Sequence, residues 1–538
     1  MRKFLEQKIR ETIGALQSEG VLPDFDMPDI RVEYPKDESH GEYATNVALA
    51  CAKGAKMKPM ELAEHIRKRL DVTECERIEV APPGYINFYV SLASFGEMLS
   101  SIHELGARYG DGEEGEGKKI ISEFVSANPT GPLHLGNGRG GFFGDSLSRV
   151  LRKAGYSVTN EYYVNDGGEQ VVKLGHSVLR DDGAEYVGAY IDELSEDLET
   201  NGPESVEGED RIRSVGAWAA EEIVTRHIRP SLTEKMGIHY DSFIFERRDI
   251  VEAGLTGRAM EIFEKQNLLF EEGDATWLRT SGFGDDKDRV LVKSDGTHTY
   301  FLNDCGYLLS KMERGADRII LTLGADHHGY VGRLRAAAVA LGFSGSFEIF
   351  ITQLVRLMKD GKEFRMSKRA GNVVSIDELV DRVGHDVTRF FFLMYSLDTH
   401  MNFDLTLAEE RSEKNPVYYV QYAHARLSSI LRKAEEAGMA SDMSHPELLS
   451  HPKERVLLRE LLVFPELVSD IARNGSVHHL PQYAIRLADR LHSFYADCRV
   501  IDEGDPERSK ARLWLVSGVK SVLGETLRLV GVRALDRM

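Results

Sequence analysis

"SANPTGPLHLGNGRGG", residues 126–141, sets prolines and glycines around His134, Asn137 and Arg139, between an apolar run and a helical pattern. Before it, "KIISEFVS" has the apolar density of a buried strand. After it, "GGFFGDSLSRVLRKAG" spaces apolar residues as a helix does, and "SVTNEYYV" reads as a second strand. The three form a βαβ unit. A second unit follows far downstream, with strand "DRIILTLG", helix "VGRLRAAAVALG" and strand "FEIFITQLV". Two such units separated by an insertion predict an α/β fold, a Rossmann-like parallel sheet split into two halves.

Three glycine patterns compete for the nucleotide. Gly136, Gly138 and Gly141 match the dinucleotide fingerprint, but that motif turns directly off its strand, whereas "ANPTGPLHL" intervenes here. In "GEEGEGKK", Gly112, Gly117 and Lys118 imitate a P-loop until Lys119 takes the place of the magnesium-holding Ser or Thr, so the segment reads as linker. There remains a helix mouth carrying His134, Gly136 and Asn137 beyond the carboxyl edge of a strand. The positive end and free N–H donors of a helix suit an anion there. Gly136 would let an adenine lie flat on the backbone, while His134 and Asn137 can donate to phosphate oxygens. Downstream, "RMSKRAGN", residues 365–372, follows the turn "KDGKE", and Ser375 and Glu378 are spaced as a capping box for the next helix. Arg365, Lys368 and Arg369 can stabilise charge that builds on a triphosphate.

The remaining chain frames this pair of loops. Its 538 residues suit two to four domains, and a net charge of -20 argues against a simple basic sheath on nucleic acid without excluding local phosphate-binding patches. Cys51, Cys75, Cys305 and Cys498 are scattered, as free thiols in a reducing compartment would be. Phe4, Leu5, Ile9, Ile13 and Leu16 share one face of an amphipathic first helix, and no apolar run is long enough to span a membrane, so a cytoplasmic protein is expected. The acidic run "DELSEDLETNGPESVEGED" reads as a solvated face. Long helical periods take over after residue 404 and are less acidic, which fits either an RNA-facing element or a plain helix bundle. The expected division is an α+β domain over residues 1–110, a catalytic domain over 111–404 with an insertion at about 167–294, and an all-helical domain over 405–538.

"PLHLGNGRG" resembles the His-Ile-Gly-His signature of class I aminoacyl-tRNA synthetases, and "RMSKR" their Lys-Met-Ser-Lys-Ser signature. "EFVSANPTGPLH", "EYYVNDGGEQ", "TYFLNDCGY", "GADHHGYVGRLRAA" and "NPVYYVQYAHAR" are similar to the arginyl members of that class. "HGEYATNVALACAK" and "FYADCRV" extend the likeness over essentially the whole chain. The resemblance implies activation of arginine by ATP, with magnesium arriving on the nucleotide, and transfer to the terminal 2'-hydroxyl of tRNA(Arg). The first step would itself need bound tRNA, and a monomer is expected. His134, Asn137 and Lys368 would be catalytic; Pro132, Gly136, Gly324, Asp326, His327, Met366 and Ser367 would complete the ATP site. No metal held by the protein itself is implied.

By the same resemblance, Asp304 and Glu246 would bind the guanidinium, with Tyr300 beside it. Ser126, Asn128 and Gln353 would hold the α-amino end, supported by Glu123. The chemistry agrees, because a guanidinium keeps its charge and fits carboxylates in fork geometry. Asp326, His327 and His328 also suggest a phosphoesterase metal site, but no second aspartate cluster accompanies them and neighbours on a strand end point apart, so an adenosine pocket is preferred. Asn137 departs from the second histidine of the signature, Arg365 from the first lysine of the other and Arg369 from its last serine. Tyr418, Tyr419, Gln421, Tyr422 and His424 are candidates for tRNA contact, with helix packing the alternative for each. Two rival functions are a non-catalytic tRNA-binding relative, expected to lose His134 or Lys368, and a small-molecule nucleotidyltransferase, which would not need the helical domain.

Overall fold

A computed structural model describes residues 1–203, 208–364, 374–442 and 445–538, with His328 described in its backbone only. The central domain is built on a five-stranded, wholly parallel sheet of β1 (Lys119–Glu123), β2 (Ser157–Val164), β3 (Ser242–Phe245), β4 (Arg318–Gly324) and β5 (Ser346–Thr352). The order across it is β5-β4-β1-β2-β3. Alternate residues of a strand face opposite layers, and both layers are filled here: Ile320 packs into one core and its neighbours Ile319 and Leu321 into another. This apolar density is why both βαβ units are legible in the sequence. The sheet order reverses between β1 and β4, which opens the crevice where such sheets bind ligands.

The crossover helix α1 (Leu135–Lys153) is buried along most of its length. Gly144 lets it approach β1, because a Cβ there would stand 2.2 Å from Phe124. Asp145 of α1 binds Arg149 at 2.8 Å and also the fully buried Arg389, whose guanidinium reaches the carbonyl of Val530 and so ties the end of the last helix to the sheet domain.

The segment expected as an insertion is not a single excursion, since β3 lies inside it and completes the central sheet beside β2. Four residues at a sheet edge carry too little apolar pattern to stand out. Helices Glu169–Leu179, Ala189–Asn201 and Glu209–Ile223 precede β3. A three-stranded antiparallel sheet of Leu269–Glu272, Ala275–Leu278 and Arg289–Val292 follows it. The acidic run falls partly on Ala189–Asn201, which buries only Ile191 and Leu194 and is otherwise a solvated helix.

The amino-terminal unit is a four-stranded antiparallel sheet, Val32–Glu33, Tyr43–Thr45, Tyr85–Val90 and Cys75–Ala81, backed by helices that include Arg2–Ser18. Of the first helix's expected apolar face, Leu5, Ile9, Ile13 and Leu16 are buried and Phe4 partly so. The helical unit contains Pro416–Glu436, Pro452–Asn474, His479–Asp497 and Pro506–Val530. The two units meet directly: Arg455 forks onto Glu42 at 2.8 and 2.9 Å, and Tyr43 donates to Glu466 at 3.1 Å. The glycine-rich linker is docked, with Gly112, Gly115 and Gly117 donating backbone N–H groups to Lys153, Ala154 and Gly155 at the end of α1.

Candidate active site

β1 ends in a strained turn, with Val125 at φ 69 and Ser126 at φ 38, a region that a β-branched residue rarely enters. The turn aims the Ser126 hydroxyl inward, where it donates to Glu123 at 3.0 Å and accepts the Tyr163 N–H at 3.0 Å. Ser126 is therefore a brace between β1 and β2, and Asn128 beyond it is exposed.

His134 caps α1 through a capping box. Its Nδ1 accepts the Gly136 N–H at 3.1 Å, and its own N–H donates to Asn137 Oδ1 at 2.9 Å. The arrangement assigns the outward chemistry of both side chains. With Nδ1 an acceptor, the neutral imidazole carries its proton on Nε2; with Oδ1 occupied, Asn137 presents two amide N–H donors. Burial lowers the His134 pKa while Asp326 pulls it the other way, so the neutral, donating form prevails near neutrality. The backbone N–H donors expected to be free at this helix start are taken: Leu135 donates to Val374 at 3.2 Å, Gly136 to the His134 ring and Asn137 to the His134 carbonyl at 2.9 Å. An anion here meets side-chain donors and the helix dipole instead.

Asp326 and His327 stand across the crevice, in the turn Ala325–Tyr330 that follows Gly324 at the end of β4. Both are exposed and lie 3.4 Å apart. Pro132 is exposed on the facing loop. Arg365, Met366, Ser367, Lys368 and Arg369 lie outside the described residues, but the chain that follows them is placed. Val374 and Ile376 pair with Leu135 and Leu133 at 3.2 and 3.1 Å, on either side of His134. Ser375 caps the next helix by accepting the Asp377 N–H at 3.1 Å.

At the same carboxyl edge of the sheet, a cavity of 940 Å³ opens between the insertion helices and α2 (Tyr300–Glu313), lined among others by Gly167, Glu246, Thr299, Tyr300, Asn303 and Arg333. Glu246 is buried at the end of β3 and accepts the Tyr163 hydroxyl at 2.6 Å. Asp304 lies one helical turn from Tyr300. Burial first, then the neighbouring Glu246 and Glu123, push the Asp304 pKa up to about 8, and burial also raises that of Glu246. Neither acid has a salt bridge among the described residues, whereas the acids behind them are paired. Lys311 binds Glu123, and Glu161 takes Arg314 at 3.0 Å and the Tyr307 hydroxyl at 2.7 Å. The Tyr163 and Tyr307 rings stack at 4.4 Å between the two groups. Glu123 and Glu161 thus hold the salt bridges of Lys311 and Arg314, and the pair without one among the described residues is the buried Glu246 with the half-buried Asp304.

Sequence reasoning missed Tyr163, Glu161, Tyr307, Lys311 and Arg314. A signal existed, because Tyr300, Asp304, Tyr307 and Lys311 recur at the spacing of one helix face. Gln353 is set apart from the other arginine candidates. It follows β5 across the crevice, outside the cavity lining, and its carbonyl accepts Arg139 at 3.0 Å. In the helical unit, Gln421 and His424 are corrected to internal braces. Gln421 donates to Asp386 and the Arg533 carbonyl, both at 3.0 Å, and His424 binds the Leu535 carbonyl at 2.9 Å. They share the buried face of Pro416–Glu436 and present nothing for a base to stack on. Tyr419 is held by Asp489 and His492 at 2.6 and 2.8 Å. Tyr418 is partly buried, while Tyr422 is 49% exposed.

Crevice and cavity together define a doubly wound nucleotide-handling domain with a pocket beside it, backed by two acids that have no salt bridge among the described residues and flanked by two accessory units. The comparisons agree part by part. Residues 3–90 match the model of the arginyl tRNA synthetase N terminal domain. Residues 98–198 and 219–390 match the class I (R) tRNA synthetase catalytic domain, and 420–538 the DALR anticodon binding domain. The arginine--tRNA ligase of Bacillus subtilis strain 168 is 40% identical over 566 aligned residues, covering 100% of this chain and 99% of its own. That of Listeria welshimeri is 42% identical, with 100% and 98% covered. Among solved structures, a putative arginyl tRNA synthetase from Campylobacter jejuni superposes with TM-score 0.74 at 33% identity, over 84% of this chain and all of that one. The Thermus thermophilus arginyl-tRNA synthetase superposes with TM-score 0.76 at 23% identity over the whole of both, a likeness of fold. The chain belongs to the arginyl-tRNA synthetases of class I.

Proposed function

We propose that this protein activates L-arginine with ATP and transfers it to the 2'-hydroxyl at the 3' end of tRNA(Arg). The observation that carries the reading is Glu246 in the cavity lining beside Tyr300, with Asp304 one helical turn on behind the lining, two acids that have no salt bridge among the described residues, at the same sheet edge as the His134 loop. A guanidinium supplies the missing cation and matches two carboxylates in fork geometry. Ser126, Asn128 and Glu123 serve the α-amino end, Ser126 by holding Glu123 in place; Gln353 belongs to the nucleotide side of the crevice.

In the first step a carboxylate oxygen of arginine attacks the α-phosphorus of ATP, and the bond to the departing pyrophosphate breaks. His134 Nε2–H and the Asn137 amide donate to the phosphate oxygens as charge builds, and Lys368 adds a positive charge. Pro132, Gly136, Gly324, Asp326, His327, Met366 and Ser367 shape the ATP site, and magnesium travels with the nucleotide. In the second step the terminal 2'-hydroxyl oxygen attacks the arginyl carbonyl carbon, AMP leaves and the hydroxyl proton departs with it.

Residues 1–110 contact the tRNA elbow, 111–404 carry the chemistry and 405–538 read the anticodon; Tyr422, the exposed aromatic, supports that reading, and Tyr418 and Tyr419 beside it remain candidates for tRNA contact. The protein works as a monomer in the cytoplasm, and no helix among the described residues is long and apolar enough to cross a membrane. The test is arginine-dependent exchange of pyrophosphate into ATP, expected only when tRNA(Arg) is added. No exchange under those conditions, or equal exchange with lysine, overturns the reading.

A further inference from the structure

Arg139 is 1% exposed and is among the largest fully buried side chains of the protein, yet among the described residues it has no salt bridge. Its guanidinium forks instead onto two backbone carbonyls, with Nη1 donating to Gln353 at 3.0 Å and Nη2 to Ser396 at 2.7 Å. Nε has no partner, and burial pushes the pKa down to about 10, opposed only by Asp398. Burying a guanidinium without a carboxylate opposite it is costly, and a space-filling role would be met by Leu or Met.

The two carbonyls mark the ends of one excursion of the chain. Gln353 follows β5, and Ser396 follows the helix α3 (His385–Leu393). These ends are stitched to each other as well: Gln353 donates its N–H to Leu397 at 3.1 Å, and Met401 to Leu354 at 3.1 Å. Residues 354–395, between them, hold the segment with Lys368 and the pairing of Val374 and Ile376 around His134. Arg139 itself stands in the helix whose first turn carries His134 and Asn137.

We infer that Arg139 is a positioning residue for the nucleotide step, clamping both roots of the 354–395 excursion to the helix that carries His134 and Asn137. The inference rests on the proposed function for the reaction it serves, but its geometry is independent of the arginine pocket. The planar fork sets both donors in one rigid plane, whereas a lysine ammonium is a single point whose rotatable donors converge on one atom and do not fix the separation of the two carbonyls.

The test is Arg139→Lys, which keeps charge and stem and loses the fork. Since displacement of reacting groups by about 1 Å can cost roughly 100-fold, kcat for pyrophosphate exchange should fall by about that factor. Arginine affinity, measured by calorimetry, should stay within about twofold, because the guanidinium site stands on β1–β3 and α2. Hydrogen exchange should rise at the Gln353 and Met401 amides while Tyr300–Glu313 stays protected. Unchanged exchange kinetics, or arginine binding lost in step with kcat, overturns the inference. Failure of the wild-type protein to exchange pyrophosphate at all would strike the proposed function instead. Should Arg139→Lys melt at the assay temperature, the same comparison is made below its midpoint, with wild type at the same temperature: the fall in kcat with arginine affinity held is expected there too, and unchanged exchange kinetics overturns the inference.

Discussion

Replacing Asp304 with asparagine tests the charge logic of the pocket most directly. The Asp304 pKa is pushed up to about 8, because burial and the neighbouring Glu246 and Glu123 disfavour its charged form. At pH 7 only about one site in eleven then carries the charge that a guanidinium needs. A raised carboxyl pKa favours the neutral acid below it, so arginine affinity should rise about tenfold per pH unit from 6 towards 8 and level off above. Arginine keeps its guanidinium charge over this range, so the titration belongs to the protein. At pH 7 binding should release close to one proton, seen by calorimetry as a heat that depends on the ionisation enthalpy of the buffer. Asp304→Asn removes a charge-assisted contact to a desolvated cation, worth about 3 kcal/mol. That weakens arginine binding about 150-fold at pH 8. The amide does not titrate, so most of the pH slope should vanish too. Affinity within threefold of wild type, or a wild-type affinity flat between pH 6 and 8, would refute the assignment of Asp304 to the guanidinium.

Three further outcomes are expected. Lys368→Ala should slow adenylate formation by about 100- to 1000-fold while arginine affinity holds within about twofold; a large loss of arginine binding places that lysine wrongly. Asn137→Asp keeps the oxygen that caps the His134 N–H and turns the outward amide into a second carboxylate oxygen. Exchange should fall by about 100-fold or more with no drop in melting temperature, since a carboxylate suits a helix start; activity within fivefold of wild type would show that the amide N–H is not used. Asp145→Ala leaves Arg389 buried without its carboxylate and should cost about 3–5 kcal/mol, read as a large fall in the denaturant midpoint. Asp145→Leu combined with Arg389→Met should recover most of that loss, and equal instability of single and double variants would refute the pairing.

The parts legible in the sequence are those where a local segment buries its own apolar face. "KIISEFVS", "DRIILTLG" and the first helix show their periodicity whatever the rest of the chain does, and the delay before Gly136 removed the dinucleotide alternative without any coordinates. His134 and Asn137 were candidates from residue type and position at a helix mouth. Only the tertiary structure decided which of their atoms face outward, because the ring and amide cap one another and Val374 takes a backbone donor that the sequence leaves apparently free. β3 was hidden for a related reason: a four-residue edge strand is specified by its partner β2 more than by its own pattern. Gln421 and His424 looked available for RNA until the carboxyl-terminal tail covered them. Around the cavity beside Tyr300 the sequence supplies the acids, but a count of acids does not say which are already neutralised. Glu123 and Glu161 find Lys311 and Arg314, on and just past a helix more than a hundred residues away, and Glu246 and Asp304 have no salt bridge among the described residues. That difference is a matter of distance in space, and it is what leaves one pair of carboxylates for the proposed guanidinium and makes the other pair their support.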